Sequence, residues 1–313
     1  MSAGSAPPAR TAIDRTGQWV DRFFSTHAIA LYMFLYVPIS LVVLFSFNAG
    51  ERTGELRGLS IRWYERALND PFAMGALQNS LVVGAWTSLL ATTMGTLAAL
   101  ALQRTPRAIR AVFDAITYVA IIIPGIVIGI ATLIFFVNTF GWLNPQLAAV
   151  WATAGLGEPP KIGTGLHTIV AAHVLFTMAI VIVLVRARLA GMDRSLTEAS
   201  FDLFATPIRT FVQVTLPQLR PAIVAGALLA FTFSFDDYVI ASFVAGPGKP
   251  TLPMYVFSSI RRGITPEINA IATMVLTLTA TLLVVVGLIY RRSVGVAAAQ
   301  RAAERLDSEG GAP

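Results

Sequence analysis

The chain has 313 residues, of which 55% are hydrophobic and 13% are charged, with a formal net charge of +6. Soluble globular proteins carry about 25% charged residues, so this composition excludes an ordinary soluble domain and indicates an integral membrane protein. The positive charge does not indicate a nucleic-acid partner, because the basic residues stand beside apolar segments, where they set membrane topology. The chain has no Cys, which excludes disulfides and thiolate metal sites.

Six apolar segments are each long enough to cross a bilayer, which takes about 20 residues per helix. They lie at about 28–47, 77–102, 116–137, 166–185, 223–244 and 268–290. The first is longer than the apolar core of a cleaved secretory signal, about 7–15 residues, so we expect an uncleaved helix. The sequence therefore predicts an all-α integral membrane protein with six transmembrane helices over 28–290, between polar tails at 1–27 and 291–313.

Proline and glycine mark the expected interruptions of this pattern. Pro124-Gly125 predicts a kink in the third span, and residues 138–165 are expected to form a long loop before the fourth. Gly246-Pro247-Gly248 predicts a break after the fifth span. Thr265-Pro266-Glu267 is a helix-start signal for the sixth, because a hydroxyl cap, a proline in the first turn and an acid favour a helix N-terminus.

The distribution of basic residues predicts the orientation of the chain. If the N-terminus is cytoplasmic, the inner segments hold 15 of the 23 Lys and Arg residues and the outer loops hold 8. Because cytoplasmic loops are enriched in Lys and Arg, we expect both termini inside the cell. The polar loop 190–217, between the fourth and fifth spans, is then also cytoplasmic.

Two adjacent carboxylates, Asp236 and Asp237, lie inside the fifth span. A carboxylate in the middle of a bilayer costs at least about 2.5–3.5 kcal/mol, so both need a cavity, a cation or an arginine. They indicate either a path for a cationic solute or ion pairs with Arg261 or Arg262 near the outer end of the span. Adjacent helical residues point about 100° apart, so one carboxylate can face the path while the other braces the structure.

Aromatic residues surround the two carboxylates. An ammonium solute would suit aromatic faces through cation–π contacts, although for any single ring a lipid-facing or core-facing role is the more common one. The fourth span carries His167 and His173, which are expected to make ordinary hydrogen bonds. The aromatic neighbours of the carboxylates are Phe231, Phe233, Phe235 and Tyr238.

The sequence carries none of the enzyme patterns for which we searched. It has no His-Glu-x-x-His zinc pattern, no glycine-rich phosphate loop with lysine and no Gly-x-Ser-x-Gly nucleophile pattern. We therefore predict no catalytic residue and no metal ligand, which makes an intramembrane enzyme improbable. If ATP drives this protein, another chain must hydrolyse it.

The loop 190–217 has the pattern of two short helices. Thr197 can cap a helix that opens at Glu198, and Pro207 ends that part of the chain. A second helix is expected over Ile208–Val214, after which Leu216-Pro217 is predicted to turn the chain back toward the membrane. Two short helices joined at a break form a rigid protrusion that can transmit motion, whereas the alternative is an ordinary cytoplasmic loop.

The spacing in this loop resembles the motif of type I bacterial ABC importer permeases. That motif reads Glu-Ala-Ala, three residues, Gly, nine residues, Ile, one residue and Leu-Pro. Ser200 takes its third position, Val214 its Ile position and Phe204 its Gly position, which is a departure. The resemblance implies that the loop couples to an ATPase through Glu198, Ala199, Ser200, Asp202, Phe204, Ala205, Leu216 and Pro217.

Further residues resemble the second permease subunit of spermidine/putrescine importers. They include the run from Phe231 to Phe243, Gly246-Pro247-Gly248 and the run from Gly263 to Thr273. The resemblance implies a bacterial inner-membrane protein with three kinds of protein partner: a second permease, a cytoplasmic ATPase dimer and an extracytoplasmic solute-binding protein. ATP and magnesium would be bound by the ATPase, and this chain would hold no cofactor. The implied substrate path comprises Phe231, Phe235, Asp236, Asp237 and Tyr238.

Two alternatives remain open at this point. The chain can serve as a permease for another small solute, such as an amino-acid derivative, an opine or a metal chelate. It can also be a membrane receptor or scaffold that transports nothing.

Overall fold

A computed structural model describes residues 12–193, 195–263, 265–281 and 284 of the chain. Two units are distinguished: Met1–Ala67 with Ile264–Thr277, and Leu68–Gly263 with Leu278–Pro313. The described residues form helices and a single isolated β-bridge, between Asn48 and Leu59. This agrees with the predicted all-α class.

The helices follow the chain in a simple order. They are α1 (Ala12–Ser46), α2 (Arg62–Asn69), α3 (Pro71–Gln103), α4 (Arg107–Ile122), α5 (Gly125–Thr153), α6 (Leu166–Ala190), α7 (Ser195–Asp202), α8 (Pro207–Thr210), a π-helical segment (Phe211–Thr215), α9 (Leu216–Asp236), α10 (Val239–Val244) and α11 (Leu252–Arg262). A further helix, α12, covers residues 266–281.

The first unit is organised around the buried side chain of Asn48. Its amide nitrogen donates to the carbonyl oxygens of Arg52 and Glu55, and its amide oxygen accepts from the backbone N–H groups of Gly50 and Arg57. The indole N–H of a buried tryptophan in α2 donates to the Asn48 carbonyl oxygen at 2.8 Å. The side chain of this one asparagine thus satisfies four backbone groups of the loop between α1 and α2.

The core of the second unit is a three-helix packing of α3, α6 and α9. Most of its buried side chains are small or β-branched, which allows the close backbone approach typical of membrane helices. Gly95 shows how close the approach is, because a Cβ added there would lie 2.9 Å from the Cβ of Val181. The buried members are Ala91, Ala99, Val174, Val181, Val185, Leu189, Leu219 and Ala230.

Among the described residues, five helical stretches are long and apolar enough to cross a membrane. They are Trp19–Ser46, Pro71–Gln103, Gly125–Thr153, Leu166–Ala190 and Pro207–Asp236. They correspond to the first five predicted spans, and all five extend beyond the predicted bounds at one end or both. The predicted sixth span, 268–290, is helical where it is described, up to residue 281 and at 284, and the rest of it lies outside the described residues.

Two spans are interrupted more strongly than the sequence suggested. The predicted kink in the third span is a break, since α4 ends at Ile122 and α5 begins at Gly125, after Pro124. The helix α5 then runs to Thr153, so most of the expected loop 138–165 is helical. The fifth span ends its main helix at Asp236, because Asp237 is extended, with φ −72° and ψ 126°.

The break predicted after the fifth span is present in the structure. The helix α10 ends at Val244, and Gly248 has a φ of +74°. Gly246 lies so close to the backbone of Thr164 that an added Cβ would be 2.1 Å from its carbonyl oxygen. Glycine is therefore required at position 246 by space and favoured at position 248 by conformation.

Candidate functional site

The predicted coupling loop begins with a capped helix, α7. The side chain of Asp193 accepts a hydrogen bond from the backbone N–H of Ser195 at 2.9 Å, which satisfies a free donor of the first turn. This bond lowers the pKa of the exposed Asp193 carboxyl below its ordinary value. The helix thus starts two residues before Thr197, which was the predicted cap.

The C-terminus of α7 explains the position of Phe204. The Phe204 N–H donates to the carbonyl of Phe201 at 2.9 Å, and the Ala205 N–H donates to that of Ser200 at 3.1 Å. These two bonds form a Schellman motif, in which the residue after the cap is left-handed and usually glycine. Phe204 has that conformation, with φ 55°. The phenylalanine therefore keeps the backbone that the glycine of the resembled motif favours.

The ring of Phe204 is part of an exposed apolar tip on this loop. Phe204 is 95% exposed, Leu203 82% and Ile208 77%. Large apolar side chains that are this exposed on one loop are typical of an interaction surface. We call Leu203, Phe204 and Ile208 the apolar tip.

The second half of the loop differs from the prediction. The helix α8 begins at Pro207, where the Thr206 hydroxyl oxygen accepts from the Arg209 N–H at 3.4 Å. No turn follows at Leu216-Pro217, because the π-helical segment joins α8 directly to α9. The Leu216 N–H donates to the carbonyl of Phe211, five residues back. The expected turn was wrong because the helix accommodates Pro217 at the π-helical segment, where the regular i→i−4 hydrogen-bond pattern is already interrupted.

The two halves of the loop contact each other and enclose a cavity. The hydroxyl oxygens of Ser200 and Thr210 lie 2.9 Å apart and join α7 to α8. The cavity, of about 630 Å³, is lined by Glu198 and Asp193 together with Arg104 at the end of α3. Among the other predicted coupling residues, Ala199 and Asp202 are exposed, and Ala205, Leu216 and Pro217 are half-buried.

A polar cluster surrounds the break after α9. His173 of α6 is fully buried. Its Nδ1 lies 2.8 Å from the hydroxyl oxygen of Ser234, and its Nε2 lies 3.2 Å from Oδ1 of Asp237. The same carboxylate oxygen accepts from the backbone N–H of Ala241 at 3.0 Å. Sequence reasoning expected ordinary hydrogen bonds for His173 but did not connect it with the carboxylates.

Asp236 has a different environment from its neighbour. Its side chain is exposed and lines a cavity of about 350 Å³. In the part of the chain that the structure describes, Asp236 has no hydrogen-bond partner. Phe176 and Phe233 line the same cavity, and their rings meet edge to face at 6.4 Å.

The predicted arginine partners of the two carboxylates are engaged elsewhere. The Arg261 guanidinium lies 5.2 Å above the ring of Phe257, and Arg262 donates to the hydroxyl of Ser259 at 3.0 Å. The alternative interpretation is therefore wrong for Asp237, whose partner is a histidine of α6. The signal available in the sequence was a histidine inside an apolar span, which has to find a polar partner.

Three predicted path aromatics pack against other rings. Phe231 and Phe235 stack on each other at 5.6 Å, and Tyr238 stacks on Phe257 at 4.3 Å. They border the carboxylate region, whereas the aromatic rings that line its cavity are those of Phe176 and Phe233. Within the described ranges, no group of three His, Asp or Glu residues could hold a metal ion.

Comparison with known proteins places this geometry in a family. A family model described as "Binding-protein-dependent transport system inner membrane component" matches residues 91–294. The putrescine transport system permease protein PotI of Escherichia coli is 41% identical over 249 residues, covering 78% of this chain and 82% of its own length. The spermidine/putrescine transport system permease protein PotC of Haemophilus influenzae is 33% identical, with coverages of 88% and 99%.

Solved structures show the same fold at low sequence identity. A bacterial ABC transporter involved in the import of the acidic polysaccharide alginate aligns with a TM-score of 0.71, at 14% identity, over 89% of this chain and 97% of that one. An alginate ABC transporter in complex with an alginate-bound periplasmic protein aligns with a TM-score of 0.65 at 15% identity, over 88% and 95% of the two chains. The chain belongs to the family of inner-membrane components of binding-protein-dependent transport systems.

Proposed function

We propose that this chain is the permease subunit of an ATP-driven importer whose solute is a polyamine such as putrescine or spermidine. With a second, similar permease it would form the translocation path, and Glu198–Pro217 would dock on an ATPase dimer that binds ATP and magnesium. An extracytoplasmic binding protein would deliver the solute. The relatives at 41% and 33% identity, which are putrescine and spermidine/putrescine permeases, support the solute class.

The observation that carries the proposal is a continuous helical connection. The stretch Pro207–Asp236 is a single helical run of 30 residues, about 45 Å long at about 1.5 Å per residue. It starts beside the apolar tip of the loop and ends at the exposed carboxylate of Asp236. Because the run is helical throughout, with the π-helical segment and Pro221 as its points of bending, a displacement of the loop is transmitted to the end that carries the carboxylate.

The local chemistry at Asp236 supports a cationic solute. The cavity beside it combines a carboxylate with two aromatic rings, and both groups attract an ammonium ion. Tight binding is not required here, since the binding protein supplies affinity and ATP supplies direction. Strong binding would instead trap the solute, so we expect weak and transient contact with Asp236.

Membrane orientation is part of the proposal and has a direct test. We propose a bacterial inner-membrane location with both termini and the loop 190–217 in the cytoplasm. The chain has no Cys, so single cysteines introduced at Ser195 and at Leu59 can be labelled without a background. A membrane-impermeant maleimide added to intact spheroplasts should label the Leu59→Cys variant and leave Ser195→Cys unlabelled. The opposite labelling pattern would refute this orientation.

The function itself is tested by reconstitution. The chain is purified together with the proposed second permease and ATPase, and the complex is placed in liposomes. The binding protein and labelled putrescine or spermidine are then added. We expect uptake that requires ATP on the ATPase side, and a lower uptake with Asp236→Asn. Uptake of a different solute class would favour the alternative permease, and no uptake of any tested solute would favour a receptor or scaffold.

A further inference from the structure

The break after α9 places two adjacent carboxylates in different environments. Asp237 is held between α6 and α10 by His173 and by the N–H of Ala241, whereas Asp236 faces a cavity. The extended backbone of Asp237 ends the helix between the two carboxylates. The structure thus separates two residues that the sequence presents as a pair.

A neutral imidazole can make both hydrogen bonds of the His173 ring, one to Ser234 and one to Asp237. A carboxylate can only accept, so Nε2 carries the proton and donates to Asp237. The Nδ1 atom is then an acceptor, and the hydroxyl of Ser234 donates to it. Because His173 is fully buried, losing either bond would leave a polar atom without water, which is costly.

We propose that His173 is a positioning residue that fixes Asp237 as a structural brace and leaves Asp236 as the carboxylate that meets the solute. Ser234 orients the imidazole, and the imidazole together with the Ala241 N–H fixes the Asp237 carboxylate. This inference rests on the proposed transport function for the part that concerns Asp236. The part that concerns His173 and Asp237 is a statement about the fold and can be tested separately.

The structural part is tested by thermal unfolding of the purified transporter complex. We expect His173→Leu and Asp237→Leu each to lower the Tm, and the double variant to lower it by less than the sum of the two single losses, because both substitutions remove the same bond. Asp236→Asn should leave the Tm unchanged. His167→Gln is the matched control, a histidine of α6 outside this cluster, and should also leave it unchanged.

The transport part is tested by comparing two solutes of different charge. At saturating binding protein, Asp236→Asn should lower the uptake of trivalent spermidine more than that of divalent putrescine. His173→Leu should lower both rates by the same factor, because it loosens Asp237 and leaves the charge of Asp236 unchanged. His173→Gln should restore most of the rate, because its amide nitrogen can still donate to Asp237.

The outcomes separate the two parts. Additive Tm losses in the double variant would overturn the brace. The division of roles would be overturned if Asp237→Asn changed the ratio of spermidine uptake to putrescine uptake as much as Asp236→Asn does. If the wild-type complex imports neither polyamine, the proposed function fails, while the Tm measurements still decide whether His173 holds Asp237.

Discussion

The left-handed conformation of Phe204 allows a quantitative prediction for the substitution Phe204→Gly. A residue with a Cβ in this conformation costs about 1–2 kcal/mol, and glycine removes that cost. Glycine also gives the unfolded chain more freedom, which offsets about 0.4–1 kcal/mol. Because the ring is 95% exposed, little packing is lost, and the net gain is about 0.8 kcal/mol in the stability of the α7 C-terminus.

Hydrogen exchange measures this gain directly. A gain of about 0.8 kcal/mol corresponds to about fourfold slower exchange, at about 1.4 kcal/mol per factor of ten, in peptides that cover Ser195–Thr206. The matched control is Phe204→Ala, which removes the ring but keeps a Cβ, and its exchange should equal that of the wild type. Equal exchange in the glycine and alanine variants would refute the backbone explanation.

The same two variants separate backbone from contact effects on coupling. We expect Phe204→Gly to keep ATPase assembly and solute-stimulated ATP hydrolysis, or to improve them, because the docking segment becomes more rigid. If both the glycine and the alanine variants fail to assemble, the ring of Phe204 is a specific contact matched to its own ATPase. Co-purification of the ATPase with each variant gives this answer.

Three further predictions concern stability. Gly95→Ala should destabilise the α3–α6 packing by about 1–3 kcal/mol, because the added methyl overpacks the contact, and this is measured as a lower Tm. Breaking the half-buried pair of Arg186 and Asp114, which joins α6 to α4 through two contacts, should cost about 1–2 kcal/mol, measured by denaturant unfolding of Asp114→Asn. Because the pKa of Asp193 is lowered by the N–H at the start of α7, its contribution is present above its unfolded pKa of 3.8 and is lost as the pH falls through the lower folded value. Exchange at the α7 N-terminus should then rise in that acid range.

Each of these predictions has a control within the chain. Gly75 has no atom within 4 Å of an added Cβ, so Gly75→Ala should not show the loss; equal losses would contradict overpacking. The reversed pair of Asp114→Arg with Arg186→Asp should recover part of the stability, and no recovery would argue against an ion pair. Asp193→Asn keeps a hydrogen-bond acceptor but has no titratable group. If exchange at the α7 N-terminus still rose at acid pH in this variant, the pH dependence would belong to another residue.

The sequence was sufficient for properties that depend on composition and local spacing. Charge content and segment length predicted a helical membrane protein, because an apolar stretch of sufficient length favours a membrane helix whatever its neighbours are. The motif around Glu198 located the loop between the fourth and fifth spans, and its Phe204 departure pointed to the position that the structure shows to be left-handed. Proline and glycine positions predicted the interruptions at Pro124 and Gly246.

Contacts between distant parts of the chain were decided only by the tertiary structure. His173 and Asp237 are 64 positions apart, and nothing local to either residue states that α6 and α9 bring them together. The continuity of the helix through Pro217 also had no local signal, because the same proline is compatible with a turn and with a helix that accommodates it at a π-helical segment. The sequence alone therefore predicted two carboxylates in the fifth apolar span, whereas the packing of α6 against α9 decided that one is braced and the other faces the cavity.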